Sequence, residues 1–231
     1  LYLRADKGVV LVSDAASDWV DRTTPSRTFS QGTAGQRPTV SPAIFRGKPG
    51  IKFDGVDDFL GAADGAFLNG SSGSVITLFR PTSTAALMEL FSSRPSADWV
   101  DRVEFGDGGT MLRISVVVDG VTDTVDSPDP TIAADSTYVA AYRSDGTAYY
   151  IYIGGQNQAL TLVAGANSGD WFGDAVPRDD TIIGANRGQT PGQYYAGYIG
   201  LLLVYEPDPG MGARMRALER MIRQRGLRAL R

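Results

Sequence analysis

At 231 residues, 42% of them hydrophobic, the chain is long enough for one large domain with a full core and too apolar for a disordered polymer. It has no cysteine and no histidine, so disulfides are excluded and the commonest general base, catalytic-triad partner and transition-metal ligand is missing. The 22 basic and 26 acidic residues sum to −4, which gives the surface no reason to seek nucleic acid, and no apolar run approaches the roughly 20 residues that span a bilayer.

In chain order, short runs rich in β-branched and aromatic residues recur, each stopped by Gly, Asp, Asn or Pro, the spacing of a sandwich rather than of βαβ units. The chain opens in a strand-like Leu1-Tyr2-Leu3-Arg4, which points to a processed product or a piece of a longer protein. Val9–Val12 follows, then a stretch from Thr23 to Pro42, rich in Ser, Thr, Gly, Gln and Pro, that reads as a long surface loop. Further strands are expected over 50–53, 74–80, 87–92, 102–105, 111–118, 137–143, 147–153, 159–163, 181–184 and 194–205. Asp119-Gly120 and Ser144-Asp145-Gly146 mark two hairpins, because an Asp-Gly pair readily supplies the positive φ of a tight turn. Asp-Trp-Val-Asp-Arg occurs at 18–22 and again at 98–102, with unlike flanks and no fixed period, so it signals no repeat architecture.

One segment reads as a helix, over 208–226. Asp208 can cap it, Pro209 suits its first position, Gly226 ends it, and Met211, Met215, Leu218 and Ile222 recur on one stripe. Residues 209–231 hold seven arginines against Glu219, or +6, so the preceding body carries −10. The plain expectation is a terminal helix laid on the sandwich with its arginines in water; an arginine-studded docking element is the alternative.

Both ends of the chain resemble laminin-G-like, concanavalin A-like jelly-roll domains, frequent in bacteriophage tail, fibre and other virion proteins and in bacterial surface proteins. At the start the likeness rests on Leu3-Arg4-Ala5-Asp6, Trp19-Val20-Asp21, Pro38 and the run from Gly47 through Phe53-Asp54-Gly55-Val56-Asp57-Asp58-Phe59-Leu60. At the end it rests on Ile183-Gly184-Ala185-Asn186, Tyr195-Ala196-Gly197-Tyr198-Ile199-Gly200-Leu201-Leu202-Leu203-Val204-Tyr205 and the terminal segment. The resemblance implies a single all-β domain over 1–231: two antiparallel sheets in a jelly-roll sandwich, first and last strands adjacent, plus one C-terminal α-helix. It implies a ligand, glycan or protein, at a concave face or rim, and a place on a virion or cell surface.

The residues themselves weigh against catalysis. The glucanase branch of this fold sets carboxylates on alternate positions of one strand, Glu-x-Asp-x-(x)-Glu, and Glu89, Glu104, Glu206 and Glu219 lie in no such pattern. Glu104 and Asp107 come closest, but their odd spacing places them on opposite faces, and Gly106 is expected to end that strand. The lyase branch uses a histidine. A hydrolase built from distant aspartates stays open as an alternative.

Sugar binding needs an aromatic plane and fixed polar groups. The expected ligand residues are Asp170, Trp171, Phe172 and Asp174 in one loop, with the aromatic pair not wholly buried, and Asn186, Arg187, Gln193 and Tyr194 in another, the two loops sharing one rim. Trp19 and Tyr195 are expected to pack into the sandwich. Asp54-Gly55 is expected to make a turn with Asp57-Asp58 at a wet rim; a calcium site there is the rival reading, and no cofactor is assigned. The expected function is non-catalytic binding of a cell-surface glycan in receptor attachment. The alternative is a structural or decoration component that meets other virion or surface subunits and forms a homo-oligomer, with neither nucleic-acid binding nor membrane insertion.

Overall fold

The computed structural model describes residues 1–23, 27–63, 67–94, 102–175, 180–186 and 192–206. Its strands are β1 (Tyr2–Arg4), β2 (Val9–Val12), β3 (Ala15–Val20), β4 (Thr28–Ser30), β5 (Thr39–Phe45), β6 (Lys48–Asp54), β7 (Leu60–Ala62), β8 (Gly73–Pro81) and β9 (Leu87–Arg94). They continue as β10 (Arg102–Gly108), β11 (Leu112–Val118), β12 (Val121–Asp126), β13 (Tyr138–Ser144), β14 (Tyr149–Ile153), β15 (Gln156–Asn157), β16 (Thr161–Ala164), β17 (Asp180–Ile183) and β18 (Ala196–Tyr205).

All pairings are antiparallel, and they sort into two layers. Sheet I runs β15-β14-β13-β8-β18; the far edge of β18 pairs with β6 over Ala196–Ile199 and with β1 over Leu201–Leu203, and β5 continues beyond β6. Sheet II runs β2-β3-β4-β7-β17-β9-β10-β11-β12-β16. A single residue pair, Ala15↔Thr39, joins the layers. The first and last described strands are neighbours, with Tyr2 opposite Leu203.

The core follows from period-two alternation. On β11 Leu112, Ile114 and Val116 face inward and are buried, while Arg113, Ser115 and Val117 face outward. On β8 Val75 and Phe79 belong to the inner cluster, whereas Ile76 and Leu78 form a second cluster on the outer face of sheet I with Val139, Ala141, Leu201, Leu203 and Phe45. Burying each such side chain contributes about 1.5–3 kcal/mol. Trp19 is fully buried and donates its indole N–H to the Arg4 carbonyl at 2.9 Å; Tyr195 is fully buried as well. Both expected hairpins form: Asp119 and Gly120 take φ of 49° and 78° between Val118 and its register partner Val121, and Ser144 pairs with Tyr149 across the Asp145-Gly146 turn.

Three expectations change. The stretch Thr23–Pro42 is not an uninterrupted loop: β4 lies within it, paired to β3 through Trp19↔Phe29. Phe29 is fully buried, and one apolar anchor was enough to bind a polar segment into the sheet. Gly106 does not end its strand; β10 continues through Gly108. Asp58 is not at a wet rim but 6% exposed, accepting the Asp54 N–H at 3.0 Å. The expected helix over 208–226 lies outside the described residues, as does the second copy of the pentapeptide through residue 101.

Candidate functional site

The loop expected to offer Trp171 to a sugar turns it inward instead. Asp174 accepts the Trp171 N–H at 2.8 Å, the Asp174 and Ala175 amides donate back to the Trp171 carbonyl, and the Gly173 N–H is tied to the Gly70 carbonyl at 2.8 Å. In so tight a turn, neighbouring side chains need not alternate between faces. Trp171 and Phe172 therefore both point into the core at 0% exposure, edge to face at 5.2 Å, and Phe172 meets Phe91 at 6.1 Å. Glycine is required at position 73, where a Cβ would come within 2.4 Å of the Trp171 indole nitrogen. Asp170 is half-buried and bound to the Ser168 hydroxyl at 2.8 Å.

The second predicted loop lies at the other end of the sandwich. Trp171 packs at Gly73, the first residue of β8, whereas Gly197 pairs with Pro81, the last, and the Gln193 carbonyl accepts the Glu89 N–H at 2.9 Å. Eight residue steps of extended chain separate these ends by about 26 Å, so the two loops do not share a rim. Asn186 and Gln193 do come together, the Asn186 amide donating to the Gln193 side-chain oxygen at 2.6 Å; Tyr194 is half-buried beside them, and Arg187 lies outside the described residues.

That loop borders a feature the sequence did not reveal. In β9, Phe91 pairs with Phe105 but Glu89 pairs with Gly106, so Leu90 is an extra residue, a bulge. Met88 before it and Leu90 itself face the core, and so does Phe91 directly after it. Glu89 and Ser92, three apart, are thereby brought to the same outer face of sheet II, opposite positions 106 and 104, with Arg94 two residues further on. A row of register partners then crosses the sheet: Glu89, Gly106, Arg113, Asp126 and Thr161. Beside it lie Ser92, Ser115 and Thr124.

This outer face is polar yet recessed. Glu89, Ser92, Arg94, Ser115, Thr124 and Asp126 are all 8% exposed or less. Arg113 reaches further out and is gripped by Asp126 through two hydrogen bonds of 2.7 Å; that pairing raises the guanidinium pKa, so the cation is fixed. The Ser115 and Thr124 hydroxyls meet at 3.2 Å. Gly106 is essential to the row, because a Cβ there would come within 2.5 Å of the Met88 carbonyl and 2.7 Å of the Glu89 carboxylate. From inside, the buried Tyr142 hydroxyl of sheet I donates across the core to the Gly106 carbonyl at 3.2 Å, bracing the strand beside the bulge.

Asp54, Asp57 and Asp58 bring carboxylate oxygens within 4.8 Å of one another. One oxygen of Asp54 already accepts the amides of Val56, Asp57 and Asp58, and one of Asp58 holds the Asp54 amide. Burial first, and then the neighbouring Asp54 charge, push the Asp58 carboxyl up to about 6. These bonds make the cluster a hydrogen-bonded turn, whose remaining carboxylate oxygens alone are fewer than the six to eight oxygen ligands calcium takes.

Two facing antiparallel sheets with adjacent terminal strands make the described residues an all-β antiparallel sandwich of jelly-roll type. Among solved structures the chain is similar to the CBM40 carbohydrate-binding module of the Ruminococcus gnavus IT-sialidase bound to α2,3-sialyllactose, at 15% identity over 73% of this chain and 95% of that one, TM-score 0.60. It is also similar to the NanB sialidase of Streptococcus pneumoniae, at 14% identity over 71% of this chain and 26% of that one, TM-score 0.57. The leech intramolecular trans-sialidase matches at 17% identity over 64% and 23%, TM-score 0.55. At these identities the likeness is one of fold. No protein-family model matches the sequence, and no curated protein does.

Proposed function

We propose that this chain is a non-catalytic glycan-binding domain whose ligand groove is the recessed outer face of sheet II, serving receptor attachment in a phage virion or bacterial surface protein. The observation that carries the reading is the row from Glu89 to Thr161: charged and hydroxyl side chains sunk into an outward sheet face, where a sugar's hydroxyls find donors and acceptors already fixed. The solved carbohydrate-binding module of like fold is glycan-bound, which supports the class of ligand. The sequence resemblance at both chain ends supports the virion or cell-surface setting.

Geometry favours binding over hydrolysis. Among the described side chains of this face, Glu89 and Asp126 lie three strand spacings apart, about 14 Å at the backbone, and Asp180, opposite Arg94, is one strand further from Asp126. Glycosidases hold their pair roughly 5–9.5 Å apart, and Asp126 is committed to Arg113. A second reading, a structural subunit of an assembly, draws on the exposed apolar edge strands of sheet II, Val10–Val12 and Leu162-Val163.

The test is a glycan array followed by titration with the best hit, on wild type and on a Ser115→Ala/Thr124→Val double variant. Replacing both hydroxyls of a mutually bonded pair by apolar groups of like shape leaves stability nearly unchanged. Affinity is expected to fall at least tenfold. Undiminished binding would place the site elsewhere, and sugar release by the wild type would replace binding with hydrolysis.

A further inference from the structure

We propose that residues 208–226, which lie outside the described residues, dock as an amphipathic helix on the outer face of sheet I and give the sandwich a third layer on the side away from the groove. This is independent of the glycan-binding reading above. The face is apolar in register. Tyr152, Ala141, Ile76, Leu203 and Tyr2 are successive partners across β14, β13, β8, β18 and β1. Val139, Leu78 and Leu201 form the next row, two residues along each strand. In-plane neighbours shield the flanks of a side chain that stands up from a sheet, but on an open face they leave its tip in water. Ala141, Ile76 and Leu203 are nevertheless only 0–4% exposed, and Val139, Leu78 and Leu201 only 6–7%, so a layer lies over them.

Described residues rise at the margins of this patch. Phe45 closes one end, where a Cβ on Gly200 would come within 2.7 Å of its ring and 3.1 Å of Leu78. Tyr2 and Tyr152 flank the middle row and are themselves only partly buried. Each stands two strand spacings from Ile76, about 10 Å. The Tyr2 hydroxyl, moreover, accepts a bond from Arg4, further along its own strand, at 3.3 Å.

Position, length and chemistry name the occupant. The chain leaves sheet I at the open end of the patch, where the Glu206 carboxylate accepts the amides of Asn69 and Gly70 at 2.9 and 3.2 Å. Asp208 and Pro209 follow as a helix start, so 206–208 is a reversal of the short length usual between strand and helix. From Tyr205 back to Gly200 the patch runs five strand steps, about 17 Å, and the eleven helical steps from Met211 to Ile222 run about 16 Å. A helix about 10 Å across matches the span of β13, β8 and β18. The stripe of Met211, Met215, Leu218 and Ile222 is narrow, and two apolar rows are all it has to meet. Arg214, Arg216, Arg220 and Arg223 on the opposite side then face water. A second copy seated on this face would bury it equally well but would leave that apolar stripe in solvent.

The experiment is nuclear Overhauser spectroscopy on the full chain with labelled Met, Ile and Leu methyls, at a concentration where light scattering finds a monomer. Cross-peaks are expected from the Met211 and Met215 methyls to those of Ile76 and Leu203, with amide exchange over 211–222 slowed at least tenfold relative to an unfolded chain. Met215→Asp/Leu218→Asp is expected to raise the fluorescence of an apolar dye at least threefold, and Arg220→Ala/Arg223→Ala to leave it unchanged. Free exchange over 211–222 without those cross-peaks overturns the proposal. Wild type that binds the dye as strongly as the aspartate variant overturns it too, by showing the face open to a partner, and cross-peaks that arise only on dimerisation assign the face to a second copy instead. The wild-type cross-peaks decide the matter even if the aspartate variant does not fold.

Discussion

Asp58 lies beneath the Asp54-Gly55 turn at 6% exposure, its carboxyl pushed up to about 6 by burial and by the Asp54 charge. In the unfolded chain the same group titrates near 3.9. A folded-state pKa above the unfolded one means that the contribution to stability is full below about pH 4 and is lost as pH rises through about 6. Asp58→Asn keeps an oxygen for the Asp54 amide and removes the charge, so it is expected to be more stable than wild type at pH 7, by about 1 kcal/mol once partial solvent screening is allowed for. The two proteins should converge near pH 4. Thermal midpoints measured from pH 4 to pH 8 check this, and a wild-type profile parallel to that of the variant would refute it. The sequence showed the acidic cluster but not its burial, because adjacent aspartates fold over one another only through backbone bonds that no side-chain pattern encodes. Trp171 shows the same limit. Glycine, aspartate and asparagine around an aromatic mark a turn, yet whether the ring points out or in was settled by Gly73, which sits 98 residues away and clears the space for it.

At the scale of an element, strand positions were legible and strand faces were not. Period-two alternation located β9, but a single extra residue, Leu90, reverses which face every later side chain takes. Sequence spacing therefore set Glu89 aside, while in the folded strand Glu89 and Ser92 share one face with Arg94. Gly106 was read as a strand end and is the space that lets the Glu89 side chain lie across β10. Holding this irregular ladder is a task for Tyr142, whose hydroxyl crosses the core to the Gly106 carbonyl. Tyr142→Phe keeps the ring and leaves that carbonyl short of a partner in a buried place. The expected cost is about 1–2 kcal/mol, seen as a lower thermal midpoint together with amide exchange in β9 that quickens about tenfold or more while β13 itself stays protected. Equal loss of protection in both strands would mean that the hydroxyl stabilises the core generally and does not brace the bulge.

For the whole molecule, the succession of short strands, both hairpins and an inward Trp19 were legible in hydrophobic rhythm and turn chemistry that local sequence carries, whereas two sheets with adjacent terminal strands were implied by the family resemblance alone. The layer order was not legible: β17 enters sheet II between β7 and β9, a choice made by long-range pairing. One consequence appears only at this scale. Among the described residues sheet II is open at both ends, and each end strand is apolar and half-exposed, with Val10, Leu11 and Val12 at 46–49% and Leu162 and Val163 at 51–53%. Proteins usually protect such edges with lysine, proline or a covering loop, because an unpaired strand templates another. Neither β2 nor β16 carries a lysine or proline. Edge-to-edge association between copies is therefore expected at high concentration. Leu11→Lys should weaken it while leaving the thermal midpoint within a degree or two, since a half-exposed leucine contributes little to the core. Light scattering across a concentration series measures the effect. Wild type that stays monomeric throughout would show that the twist of these short strands already protects them, and would take away the structural support for an assembly role.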